Sequence, residues 1–359
     1  MTTAARRTHV VVIFGGESAE HDVSCVTAAH VLRALDPARY DVTAVGITRA
    51  GEWVVARDAM RALADGPAAI PSRLEAVGDT THLAAVVAPR RDEAPVVAMP
   101  LLHGPMGEDG TVQGLLELAH VPYVGAGVLG SAIAMDKAIT KALLARHGLP
   151  QPEHRVVRDL SGADEAVRAA VRDLGVPVFV KPANMGSSVG VEKVRTADDA
   201  VAAARRAFAY DEWVLVEEAV AGREIEVAVL GNESPRASVP GEIVPSREFY
   251  DYEDKYVTDG ARLLVPAPLE ATLADEARRL ALEVFRAVRA DGMARVDFFL
   301  EEGGRGLLVN EINTIPGFTP ISMYPKLWQA SGLTYAGLVD ELIALALARH
   351  ARKRRTTTR

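Results

Sequence analysis

Thiol is nearly absent from this chain. Cys25 is its one cysteine, which excludes an internal disulfide and suits a reducing compartment. Its spacing from Val26 and Ala29 fits the core side of a helix, where a free cysteine acts as a small hydrophobe. Long apolar runs are missing too. No stretch reaches the roughly 18 apolar residues that a bilayer-spanning helix needs. Arg6 and Arg7 ahead of Val10–Phe14 imitate an export signal, but the run stops at Gly15–Gly16 and is too short for one. The expectation is a cytoplasmic protein with no membrane partner. The body also lacks a large basic block. Lys and Arg number 40 against 48 Asp and Glu, a formal net charge of -8. Neutralising a phosphate backbone needs clustered cations, so nucleic acid is not an expected partner. No internal repeat is visible. The basic end, Arg349 to Arg355, reads as a solvated tail.

What remains is an ordinary globular composition, 49% apolar and 25% charged. At 359 residues the chain exceeds one ordinary core, so two or three domains are expected. Strands and helices alternate from the start. His9–Phe14 reads as a buried strand, Ser18 or Ala19 to about Leu35 as a helix, and Tyr40–Ile47 as a second strand, together a parallel βαβ unit. Gly51 to Pro95 has weak periodicity and reads as an elaboration of this first domain. Val96–Leu101 is a further strand, followed by the Gly-rich His103–Gly114. Ser131–His147 reads as one helix, capped by Ser131 and ended by Gly148 and Pro150. Ser161 with Asp164, and Thr196 with Asp199, resemble helix-capping pairs. Val176–Val180 and Val189–Val194 are strand-like. Trp213–Glu217 and Glu224–Leu230 suggest an antiparallel pair across a short Gly222 turn. Ser246–Arg262 is polar and aromatic without period, a loop long enough to be functional. Ala294–Leu300 and Leu307–Asn313 are the last strands, and Thr334–His350 is an amphipathic helix.

Chemistry concentrates on those last two strands. Alternate side chains share a face, so Arg295 points with Asp297, and Glu311 with Asn313. If the strands are neighbours, Asp297, Glu311 and Asn313 converge as hard oxygen ligands, without His or Cys, which suits magnesium. The residues alone leave open that Asp297 pairs with Arg295 and Glu311 is solvated. Gly186-Ser-Ser-Val-Gly190 can bring backbone N–H groups and hydroxyls close to a phosphate. It is not a Walker A loop, which requires Gly-Lys-Ser/Thr leading into a helix. Lys137 and Lys181 are either phosphate-neutralising charges or surface residues covering apolar area with their stems. Gly125-Ala-Gly127-Val-Leu-Gly130 matches the dinucleotide fingerprint Gly-x-Gly-x-x-Gly. The second strand and acid expected roughly 20 residues later are missing, so a tight linker into a helix is the better reading.

Together these pieces resemble the D-alanine–D-alanine ligase family of the ATP-grasp superfamily, with matching segments from Gly15 to Val339. The motifs are Gly15-Gly-Glu-Ser-Ala-Glu20, His103-Gly-Pro-Met-Gly-Glu-Asp-Gly110, Met135-Asp-Lys137, Lys181-Pro with the Gly186–Gly190 loop, Phe249-Tyr-Asp-Tyr-Glu-Asp-Lys-Tyr256, Arg295-Val-Asp297 and Asn310-Glu-Ile-Asn-Thr-Ile-Pro-Gly317. The resemblance implies an α/β, three-domain ATP-grasp fold: 1–125 as a parallel α/β substrate domain, 126–218 as the central subdomain, and 219–359 with the metal site and the lid 246–262. It implies ATP, two magnesium or manganese ions, two D-alanines, and a homodimer. Lys137, Lys181, Ser188 and Lys255 are expected at the nucleotide, Glu217, Glu218 and Val220 at the adenine, and Glu224 at the ribose. Asp297, Glu311 and Asn313 are expected to hold the metals. Glu20 is expected to receive the first D-alanine's ammonium, with Ser187 linking it to Tyr256, and His103 nearby. Arg295 and the Gly317 N–H are expected to form the oxyanion site, and Ser322 and Met323 to meet the second D-alanine.

The intact Tyr-rich lid favours D-alanine over D-lactate as second substrate. The Gly51–Pro95 stretch is longer than in the shortest relatives, and Met323 stands where some carry leucine. Another ATP-grasp carboxylate–amine or carboxylate–hydroxyl ligase would share the lysines and metal ligands without needing Glu20 or the lid. A non-catalytic nucleotide module would not need Arg295.

Overall fold

Three sheets, each from a different stretch of chain, form the framework. The computed structural model describes residues 7–88, 94–245 and 261–353. β1 (Thr8–Gly15), α1 (His21–Ala34) and β2 (Tyr40–Ile47) form the expected parallel unit. β3 (Trp53–Ala56) and β4 (Gly78–Thr80) extend it by an antiparallel edge, flanked by α2 (Arg57–Asp65) and α3 (Leu83–Val86). β5 (Val96–Pro100) closes the order β4-β3-β2-β1-β5. β1 is apolar on both faces because both are covered, as a central parallel strand requires. α4 (Thr111–Leu118) follows.

The expected single helix over Ser131–His147 is two helices, α5 (Val128–Met135) and α6 (Lys137–Arg146). Asp136 breaks them with an extended ψ of 101°, and its carboxylate caps α6 by accepting from the Ile139 N–H at 3.0 Å. Ser131 is therefore no cap. It lies inside α5 and turns its hydroxyl to the Ala126 carbonyl. The break frees the Lys137 N–H to bond the carbonyl of Ala183, just past the strand Val178–Pro182, at 3.1 Å, so Lys137 starts a helix instead of riding in the middle of one. Gly148, at φ +67°, ends α6 as expected.

The second sheet is antiparallel: β6 (His154–Arg158), β7 (Val178–Pro182), β8 (Glu192–Val194) and β9 (Trp213–Glu218), in the order β6-β9-β7-β8. α7 (Ala163–Leu174) and α8 (Ala197–Ala207) cover it. Thr196 caps α8, accepting from the Asp199 N–H at 3.1 Å. The parallel expectation for Ser161 fails. Gly162 is the cap residue of α7, and Asp164 is drawn to Arg205 on α8.

The third sheet contains β10 (Arg223–Gly231), β11 (Arg236–Ala237), β12 (Gly241–Val244), β13 (Arg262–Leu264), β14 (Gly292–Glu301) and β15 (Gly306–Asn313). Its order is β13-β12-β10-β14-β15, with β11 on β10. β9 and β10 are therefore not a hairpin. β9 is flanked by β6 and β7, and β10 by β12 and β14, so neither has an edge left for the other. The Gly222 turn is instead the crossing between sheets. A Cβ there would lie 2.6 Å from the Leu300 carbonyl oxygen, which is why glycine sits at this crossing.

α9 (Ala271–Ala287), α10 (Met323–Ala330) and α11 (Tyr335–Lys353) complete the described chain. The second sheet has a core of its own, around Val167, Val178, Val180 and Val216. Ala126, Ala134, Leu144 and Leu149 instead join the core of the third sheet. The first sheet shares apolar packing with α10 and α11. The expected solvated tail begins later than the sequence suggests. Arg349 is 3% exposed, donates to the Tyr123 carbonyl at 2.9 Å and to the Gly125 carbonyl, and stacks 4.0 Å from the Tyr123 ring. Buried carbonyls at the turn after Tyr123 need donors, and this guanidinium supplies them. No single helix among the described residues is long and apolar enough to cross a membrane.

Candidate active site

β14 and β15 are neighbours, with Arg295 opposite Asn313 and Asp297 opposite Glu311. The register shifts just after Asp297, a bulge of the kind that re-aims side chains beside active sites. Arg295 forks onto Asp297 with two bonds of 2.7 Å and lies 3.1 Å from Glu226 on β10. Asn313 donates to Asp297 at 2.9 Å and sits 3.5 Å from Glu311. The two readings that the residues left open thus hold together: Asp297 pairs with Arg295 and still faces Glu311 and Asn313. Burial pulls the Arg295 pKa down, but Asp297 and Glu226 outweigh it and hold the guanidinium well above its ordinary value. The donor set fits a hard divalent cation: two carboxylates and an amide on facing strands, with no nitrogen or sulfur ligand. A half-turn of the Asn313 amide would present its oxygen in place of its nitrogen.

Across from this cluster lie the lysines. Lys137 donates to the Met185 carbonyl at 2.6 Å, at the mouth of the Gly186–Gly190 loop. Burial lowers its pKa, opposed by Glu311. Lys181 ends β7 and meets Glu217 at 2.6 Å. In the loop, Ser187 and Ser188 both sit at positive φ, 49° and 59°. Such backbone costs on the order of 1–3 kcal/mol per residue and persists where the surroundings impose it. Gly190, at φ +71°, closes the loop against Pro182 and Tyr210, which a Cβ would approach to 2.9 and 3.0 Å.

The first sheet supplies the opposite wall. Glu20 stands at the cap position of α1, yet its carboxylate makes no cap bond. It accepts instead from the Ser187 hydroxyl, across 167 residues of sequence. Gly104 and Gly186 let backbone approach this carboxylate, since Cβ atoms there would lie 2.8 and 3.4 Å from its oxygen. His103 is 5% exposed and 3.3 Å from Glu108. Burial works against its charge, but Glu108 and Glu20 more than compensate and raise its pKa. Burial raises the Glu108 pKa as well. Gly317 follows Pro316 and faces Ser322, whose oxygen would lie 3.1 Å from a Cβ there. Ser322 bonds Thr319 and precedes α10. Met323 is 4% exposed and packed over Gly241 with the apolar core. Met323 follows Ser322 directly and starts α10.

Other expected residues fare unevenly. Lys255, Tyr256 and the rest of 246–260 lie outside the described residues. Glu217 lies in the expected segment, but its carboxylate is 3% exposed and held by Lys181 and Lys141. The Glu218 carboxylate is engaged by Arg305 and the Glu153 N–H at 2.6 and 2.7 Å. Val220 lies on the crossing between sheets, and Glu224 opens β10 opposite Phe299. Sequence reasoning missed Lys141, Glu108 and Glu226. Lys141 had one signal, its spacing of four from Lys137 on a helix.

A glycine loop and a lysine on one sheet, a second lysine at the start of α6, and oxygen ligands on another sheet define a protein of the ATP-grasp class. The family description "D-ala D-ala ligase N-terminus" matches residues 9–126, and "D-ala D-ala ligase C-terminus" matches residues 143–344. A D-alanine--D-alanine ligase of Thermoanaerobacter sp. (strain X514) is 46% identical over 350 residues, covering 96% of this chain and 98% of that one. D-alanine--D-alanine ligase A of Chromobacterium violaceum is 48% identical over 356 residues, covering 94% of each. The solved D-alanine-D-alanine ligase of Coxiella burnetii superposes with a TM-score of 0.80 at 36% identity, covering 97% of this chain and 96% of that one. A D-Ala:D-Ser ligase of Enterococcus faecalis does so with a TM-score of 0.80 at 32% identity, covering 95% and 100%. The chain belongs to the D-alanine–D-alanine ligase family.

Proposed function

We propose that the chain joins two D-alanines, using ATP, through a D-alanyl-phosphate. The observation that carries this reading is the meeting of three walls: Arg295 with Asp297, Glu311 and Asn313; Lys137 and Lys181 at the glycine loop; and Glu20 tied to Ser187. A carboxylate is a poor acyl donor. An oxygen of the first D-alanine attacks the γ-phosphorus of ATP, the bond to the bridging oxygen breaks, and ADP leaves. The lysines offset charge on the phosphates, work that is mainly positional and electrostatic. Asp297, Glu311 and Asn313 would hold two magnesium ions, which would supply further charge neutralisation at the transferring group. Glu20 receives the ammonium of the first D-alanine. The free amine of the second then attacks the acyl carbon. Arg295 and the Gly317 N–H face the oxygen that becomes negative, and inorganic phosphate departs with its bonding pair and takes up the proton that the new amide nitrogen sheds. The product is D-alanyl-D-alanine, a peptidoglycan precursor, and a reducing cytoplasm suits the lone Cys25.

Phosphate release from the purified chain tests this. It should require magnesium and D-alanine, and D-lactate should not replace the second D-alanine at neutral pH. D-serine belongs in the panel, because a D-Ala:D-Ser ligase shares the fold. L-alanine serving equally well would overturn the assignment, and ATP binding without turnover would favour a non-catalytic role.

A homodimer is part of the proposal. Leu118 is 83% exposed, with Leu115, Val128 and Leu129 also exposed on the adjoining helices α4 and α5. Exposed apolar side chains on two adjoining helices suit an interface. Leu118→Glu should shift the mass in light scattering from dimer to monomer. A dimer that survives this change uses another face.

A further inference from the structure

The phosphate site contains a third lysine to which the ligation reading gives no task. Lys141 lies one helical turn after Lys137 on α6, so both project from the same side of that helix. Its side chain is 1% exposed, and its ammonium lies 2.6 Å from Glu217 Oε2. Lys181 meets the other oxygen, Oε1, also at 2.6 Å. One buried carboxylate thus bridges two ammonium groups.

Lys181 makes a hydrogen bond to Glu217 Oε1, which orients it. Lys141 closes an equally short ion pair with Oε2. Counting charges shows the consequence. Lys181 and Glu217 alone form a neutral pair, with the cation that ends β7 compensated inside the protein. Burial lowers the Lys141 pKa and Glu217 opposes that; in its charged form Lys141 leaves the trio with one net positive charge. Exposed water would blur the difference, but at a buried site a unit charge is felt strongly over several ångströms. Burying two lysines is costly, and an apolar residue at 141 with an uncharged one at 217 would pack more cheaply.

We infer that Lys141 is a positioning residue for nucleotide binding: it engages the Glu217 carboxylate, so that Lys181 is held in place while the trio keeps a positive charge for the phosphates of ATP. This rests on the ligation reading, since it needs a phosphate at Lys181.

The test is equilibrium binding of magnesium-ATP to the full chain by calorimetry, with steady-state rates alongside. Lys141→Met should weaken ATP binding by about tenfold or more, raising KM for ATP more than it lowers kcat. Lys141→Arg should stay near the wild type. Adding Glu217→Gln to Lys141→Met restores the net charge at Lys181 and should recover most of the lost affinity. A purely structural role predicts a lower melting temperature with unchanged ATP affinity in Lys141→Met, and that result overturns the inference. So does a double variant that binds as weakly as Lys141→Met, which would mark direct contact between Lys141 and the nucleotide. If Lys141→Met does not fold, the double variant, free of both buried charges, decides alone: near-normal ATP affinity supports the inference and weak binding ends it. Absence of ATP binding in the wild type would instead remove the ligation reading.

Discussion

Arg295→Ala is expected to lower kcat by about 100- to 1,000-fold, the usual cost of removing one oxyanion donor, and to destabilise the protein by about 3–5 kcal/mol. The second effect follows from packing. The Arg295 fork is the cation for Asp297 at 2.7 Å and for Glu226 at 3.1 Å, all on largely buried strands. Deleting it leaves those carboxylates facing each other. Thermal melts with and without magnesium check it: the cation should raise the melting temperature of the variant more than that of the wild type, because it replaces the charge that the guanidinium supplied. Arg295→Lys should recover part of the stability and little of the rate, since a point charge cannot reproduce the fork. Wild-type turnover in Arg295→Ala would exclude Arg295 from the chemistry.

Asp297→Asn should cost a similar factor in turnover for a different reason. Asp297 is the hub of the cluster, accepting two bonds from Arg295 and one from Asn313. An amide there loses a unit of negative charge and turns a donor toward other donors. Metal catalysis contributes several kcal/mol of charge stabilisation, and each 1.4 kcal/mol is tenfold in rate, so a loss of roughly 100- to 1,000-fold is expected. The magnesium concentration for half-maximal activity should rise as well. Magnesium titration of phosphate release measures both quantities. A variant with normal magnesium dependence and only a lower melting temperature would reduce Asp297 to a tether for Arg295.

Much of this site was legible before any coordinates. Period-two alternation put Arg295 with Asp297 and Glu311 with Asn313, and the neighbouring strands brought the pairs together. The glycine loop and its lysines were recognisable because close backbone approach and phosphate charge demand those residue types. Other features were misread for definite reasons. The apolar period runs through Asp136 unbroken, so the sequence suggested one helix, while an N-terminal cap and a bond to Ala183 divide it. Strand neighbours in sequence, β9 and β10, looked like a hairpin, but both edges of each were taken by other strands. Arg349 looked like a solvated tail residue and is buried on Tyr123.

By itself the sequence determined the α/β class, the alternation that builds the first sheet, the identity of the oxygen ligands and the family. These depend on local periodicity and on residue chemistry, both of which are written along the chain. Only tertiary structure decided which carboxylate serves which cation. Arg295 reaches Glu226, and Glu217 lies between Lys181 and Lys141. Charge pairing acts through space over a few ångströms, so it is set by how three sheets pack and not by spacing along the chain.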